Sequence, residues 1–177
     1  PFPFHKELEE SLKKLKKSSL YGYLAHDGDL LIKNPNWWEG LQLAKQQGLV
    51  KKIGYSLYSV NQLEKLLAKQ MLPDIIQFPY NILDRRFETF FKELNSKGVE
   101  IHTRSSFLQG LLQMNPVQIP NHLISLQPYL NKVREIANTN YLTIGQLCLK
   151  FVLQNSFINK VVIGVDNVEQ LKENLDI

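Results

Sequence analysis

Two glycines, Gly48 and Gly98, set the frame of this chain. Each closes a helical pattern in a way that suits a left-handed cap and is followed at once by strand formers, and each strand-helix unit between them takes about 25 residues. That beat is typical of right-handed β-α-β crossovers in a parallel sheet, so the chain reads as α/β. Strands are expected near 20–25, 50–56, 74–79, 99–103 and 160–163. Helices are expected near 5–17, 37–47, from Ser59 to about Gln70, from about Arg86 to Lys97, after Tyr129, from Thr143 to about Asn155, and from Asn167. Ser59 with Gln62 and Thr143 with Gln146 spell capping boxes. Between Phe107 and Tyr141 the beat breaks, and Pro116, Pro120 and Pro128 punctuate an excursion long enough to be expected to line or cover a site. Five strands fit an open doubly wound sheet or part of a closed (β/α)8 barrel, and spacing does not choose between them.

The 177 residues, 44% hydrophobic, suffice for a single globular domain. The net charge of +4 gathers on helix faces such as Lys13, Lys14, Lys16 and Lys17. That run has no interleaved aromatics, so it reads as a solvated face rather than a nucleic-acid surface. The single cysteine, Cys148, lies among Leu147, Leu149 and Phe151, the setting of a buried inert thiol, and no intrachain disulfide can form. No metal site is expected. Without a leader or an apolar run of membrane-spanning length, a cytoplasmic protein with no membrane partner is expected. The chain opens with Pro1-Phe2-Pro3-Phe4 rather than Met, so the natural start is expected upstream. Oligomeric state is not fixed by the sequence.

Chemistry-bearing residues fall at the carboxyl ends of the expected strands, where α/β enzymes place their sites. Leu20-Tyr21-Gly22-Tyr23-Leu24-Ala25 runs into His26, the next strand ends in Ser56, and Ile75-Ile76-Gln77-Phe78 carries an amide among β-formers. A buried amide needs partners, so Gln77 is either held by backbone or offered to a ligand. His26 precedes Asp27-Gly28-Asp29, where a carboxylate could hold its tautomer; local satisfaction by backbone is the alternative. His102, in mid-strand, reads as structural, and Asp84, Arg85 and Arg86 as a helix-start charge cluster.

Taken in order, these segments resemble the aldo-keto reductase family from about Leu8 to Leu175. The resemblance rests on Tyr23-Leu24-Ala25-His26, on Trp38-Glu39-Gly40-Leu41 with Gly48 through Ser56, and on the ungapped Gln77 to Arg85 signature. It continues through Ser105-Ser106-Phe107-Leu108-Gln109-Gly110-Leu111-Leu112 and from Val162-Ile163-Gly164 to Asn174.

The resemblance implies a (β/α)8 barrel of which residues 1–177 supply the last five strand-helix units, with 107–142 as a long loop insertion near the active-site face. It also implies NADPH, with NADH possible, as cofactor and a small carbonyl compound as substrate, an aldehyde or ketone that includes sugar-related ones. His26 would orient the carbonyl, and Ser56 and Gln77 would hold the nicotinamide carboxamide. Leu57 stands where relatives commonly have Asn. Arg104 would stack on the nicotinamide or pair with a phosphate, or else is a surface arginine; Ser105, Phe107 and Gln109 would cradle the pyrophosphate. Gly164, Asp166, Gln170, Glu173 and Asn174 would surround the adenosine, with Gly164 and Gln170 in place of the Lys and Arg that often hold a 2'-phosphate. The family's catalytic Asp, Tyr and Lys have no counterpart in these residues, so a polypeptide of this sequence alone is expected to be inactive. Two rival readings follow: a non-catalytic cofactor-binding module, and an unrelated flavodoxin-like domain, which a strand-order switch point would reveal.

Overall fold

The computed structural model describes residues 3–177. Its five strands are β1 (Leu20–Ala25), β2 (Val50–Ser56), β3 (Ile75–Pro79), β4 (Glu100–Arg104) and β5 (Ile158–Val161), hydrogen-bonded in the order of the chain. The β1–β2 and β2–β3 ladders are parallel. A sequential order has no switch point, which removes the flavodoxin-like reading and fits consecutive units of a barrel. The helices are α1 (His5–Leu15), α2 (Gly28–Lys33), α3 (Asn36–Gln46), α4 (Val60–Ala68), α5 (Phe91–Ser96), α6 (Gln127–Thr139), α7 (Ile144–Leu153) and α8 (Val168–Leu175). None of them is long and apolar enough to cross a membrane.

The chain divides into two compact units: one takes the described residues up to Phe78 with Thr89–His102, the other Pro79–Glu88 with Thr103–Ile177. In the first, Gly48 and Gly98 adopt φ of 74° and 73°, the left-handed geometry that ends their helices. Ser59 and Gln62 form the expected capping box at α4. Gly54 is required for a different reason: a Cβ there would lie 1.7 Å from the Ile75 carbonyl oxygen, so any side chain would force β2 and β3 apart. The core joins Trp38 to Tyr55, with ring centroids 6.1 Å apart, and stacks Phe78 on Phe91 at 5.6 Å. Leu57 is fully buried, and its N–H donates to the Gln77 carbonyl at 2.8 Å.

In the second unit Thr143 and Gln146 form the expected capping box at α7. Leu111, Leu112, Ile119, Leu130, Val133 and Cys148 make one apolar cluster. Burial pushes the Cys148 thiol up to about 11, which agrees with an inert role.

One helix was not anticipated, and two expected limits move. The residues after His26 form α2, because the Asp27 side chain accepts from the N–H groups of Asp29 and Leu30 as an N-cap. The helix expected from Arg86 is delayed to Phe91 behind a 3-10 turn at Glu88–Phe90, since Asn81 and Asp84 exchange backbone hydrogen bonds and Asp84 takes the Arg86 side chain at 2.7 Å. β5 starts two residues early, at Ile158, because the Asn155 side chain accepts from Phe157 N–H and closes the turn after α7.

Candidate functional site

In the first unit, the ladders place Ala25 beside Tyr55 and Ser56 beside Gln77. His26 directly follows Ala25, so His26, Ser56 and Gln77 occupy one row across the carboxyl ends of β1, β2 and β3. Strand alternation puts side chains of one row on one face. Ser56 Oγ donates to Gln77 Oε1 at 3.4 Å, a long bond that leaves the Gln77 amide nitrogen as a donor. His26 is exposed. Neither neighbouring carboxylate holds it, in contrast to the sequence expectation: Asp27 caps α2, and Asp29 accepts from Gln62 Nε2 at 2.9 Å.

Below that row, at the amino end of β4, Glu100 accepts from Tyr21 Oη at 2.6 Å, Lys52 Nζ at 2.5 Å and His102 Nε2 at 3.1 Å. Burial raises its carboxyl, but these three hydrogen bonds prevail and hold it down at about 2. His102 thus serves the structure, as its mid-strand position suggested.

The second unit contains a cleft of about 530 Å³. Arg104, Ser105, Phe107 and Gln109 line one wall, and Gly164, Asp166, Gln170, Glu173 and Asn174 line the other, so nine residues singled out in the sequence meet in one place. The first wall is a run of turns after β4 in which Ser105, Leu108 and Gln109 have φ of 61°, 50° and 55°, and Gly110 has 85°. A left-handed conformation costs a non-glycine residue roughly 1–2 kcal/mol, so the run needs support from outside. Asn81, fully buried, supplies some of it: its Nδ2 donates to the Ser105 carbonyl at 3.0 Å while its Oδ1 accepts from Leu83 and Asp84. Among the described residues, the N–H groups of Ser106, Phe107 and Gln109 are given to no carbonyl. Unclaimed amides at the edge of a cleft are groups able to receive an anion.

Sequence reasoning passed over Ser106, Gly110 and Gln113 in this wall, and Asn81 behind it. Ser106 is the most telling, because it is 1% exposed and its hydroxyl has no hydrogen-bond partner among the described residues. A buried hydroxyl without a partner is costly, and beside unclaimed amides it leaves a further donor available at the cleft. Adjacent serines after a strand were the signal available in the sequence.

The other wall is polar and partly acidic. Asn167 caps α8 by accepting from Gln170 N–H, and Gln170 Oε1 accepts from Asp166 N–H at 2.7 Å. That bond leaves the Gln170 Nε2 donors. Glu173 Oε1 accepts from Thr143 Oγ1 at 2.9 Å. Arg104, half-buried, reaches Ser105 Oγ at 3.4 Å and is the one cation lining the cleft among the described residues.

The sequence model of the aldo/keto reductase family matches residues 4–177. The chain belongs to the aldo/keto reductase family. It is 23% identical over 177 residues to the uncharacterized oxidoreductase YqkF of Bacillus subtilis, covering 95% of this chain and 58% of that relative. It is 25% identical over 193 residues to the L-glyceraldehyde 3-phosphate reductase of Escherichia coli, covering 95% and 56%. Among solved structures, the holo form of aldo-keto reductase AKR11C1 from Bacillus halodurans superposes with a TM-score of 0.78 at 24% identity, over 97% of this chain and 59% of that one. A Gox0644 mutant in complex with NADPH gives 0.70 at 22% identity, over 97% and 57%. The chain therefore spans less than two thirds of these relatives and has the fold of part of a (β/α)8 barrel.

Proposed function

We propose that this chain carries the cofactor-binding part of a nicotinamide-dependent carbonyl reductase, which converts an aldehyde or ketone, sugar-related ones included, to an alcohol. The observation that supports this reading is the cleft of the second unit, where a buried unpartnered hydroxyl, unclaimed amides and a guanidinium face a wall of hydrogen-bonding side chains. The bound cofactor supplies a hydride. Ser106 Oγ and the amides of Ser106, Phe107 and Gln109 receive phosphate oxygens, while Arg104 pairs with the negative charge or stacks on a planar ring. In the first unit, Ser56 and Gln77 present hydroxyl and amide groups able to fix a carboxamide. His26 donates a hydrogen bond to a carbonyl oxygen as negative charge gathers there.

NADPH is the expected cofactor, with a modest preference over NADH, because Gln170 and Asn174 can donate to a 2'-phosphate but bring no charge. Dissociation constants for both cofactors, measured before and after Gln170→Arg, test the reading. The substitution is expected to tighten NADPH roughly tenfold and leave NADH nearly unchanged. Equal changes for both would show that the start of α8 is not the phosphate site, and a chain that binds neither would overturn the proposal.

A further inference from the structure

The cleft wall that carries the unclaimed amides reaches Gln113, with Met114 next in the chain, and among the described residues no backbone N–H takes the carbonyl of either. Both carbonyls are instead met by one side chain from α6. Arg134 Nη2 donates to the Gln113 carbonyl at 3.3 Å and to that of Met114. Gln113 lines the cleft; Arg134 does not. Among the described residues its Nη1 is buried without a partner, which costs stability. Because the preceding turns hold three non-glycine residues in the left-handed region, they relax unless both ends are fixed. Asn81 fixes the start through the Ser105 carbonyl, and Arg134 fixes the end.

We propose that Arg134 is a positioning residue for cofactor binding: by pinning the Gln113 and Met114 carbonyls it keeps the amides of Ser106, Phe107 and Gln109 converged on a phosphate. The proposal rests on the reading of this cleft as the cofactor site. A preorganised cradle does not have to be ordered when the ligand arrives, so loss of the pin weakens binding without removing a contact to the ligand.

Arg134→Met keeps most of the apolar stem and removes the donors, whereas Arg134→Lys keeps a nitrogen with enough hydrogens for both carbonyls. In the full-length protein, Arg134→Met is expected to raise the NADPH dissociation constant about tenfold and to speed hydrogen exchange at residues 106–110. Arg134→Lys is expected to stay within about threefold of the parent protein. The ratio between parent and Arg134→Met should persist at high salt, because a hydrogen-bonded pin is local, while through-space attraction between a guanidinium and phosphates fades with screening. Unchanged affinity in Arg134→Met, unchanged exchange at 106–110, or an effect that disappears with salt would each overturn the proposal. If Arg134→Met does not fold, Arg134→Gln, too short to span both carbonyls, takes its place with the same expected loss. Parent protein that binds no NADPH defeats the cofactor reading itself; parent and variant binding equally defeats only the pin.

Discussion

At the scale of single residues, Ser106 shows how binding and stability pull apart. Among the described residues its hydroxyl is buried and unpartnered, so it costs stability in the ligand-free chain, and on the proposed reading it gains an acceptor when the cofactor binds. Ser106→Ala is therefore expected to stabilise the free protein by about 1 kcal/mol while weakening NADPH roughly fivefold. Thermal melts and cofactor titration on the same preparation read both effects; a loss of both stability and affinity would show that the hydroxyl has a structural partner. The residue's type is visible in the sequence, but burial and isolation are tertiary properties that no local pattern encodes. The same holds for His26, whose neighbouring carboxylates suggested a partner until Asp27 proved to be a helix cap and Asp29 the acceptor for Gln62.

At the scale of elements, Glu100 ties three strands of the first unit by accepting from Tyr21 on β1, Lys52 on β2 and His102 on β4. Its carboxyl is held at about 2, against 4.5 as the ordinary value. The folded state therefore binds the proton less readily than the unfolded one, so this contribution is fully present above pH 4.5 and is lost as pH falls toward 2. Glu100→Gln should cost on the order of 1–2 kcal/mol at pH 7, discounted for partly exposed partners, and the difference should vanish near pH 2. Denaturant titrations across that range check it, and a difference that does not vary with pH would exclude the ionic cause. Elements of this kind were readable where local chemistry dominates: β1 and β2 have the expected limits, and both capping boxes form. Where side chains of neighbouring segments intervene, as at Asp84 with Arg86 and at Asn155, the limits moved.

At the scale of the molecule, β1 and β5 stand at the ends of the sheet order, and the chain covers 58% of the length of one relative and 56% of another. Of the groups that the family resemblance assigns to proton transfer and carbonyl orientation, these residues contain His26 alone. Hydride addition leaves an alkoxide, and a positioned general acid is worth roughly a hundred- to ten-thousand-fold in its capture. In the proposed role His26 donates a hydrogen bond and keeps its proton, while the neighbouring Asp27 and Asp29 are engaged elsewhere. A polypeptide of these 177 residues is accordingly expected to bind NADPH yet oxidise it with simple aldehydes at least a hundredfold more slowly than a family enzyme measured alongside. The comparison needs the polypeptide's mass verified and binding measured in the same sample, so that weak turnover cannot be mistaken for an empty cleft. Turnover within tenfold of the reference enzyme would mean that another group in this chain supplies the proton, and His26→Gln would then decide whether the imidazole is that group.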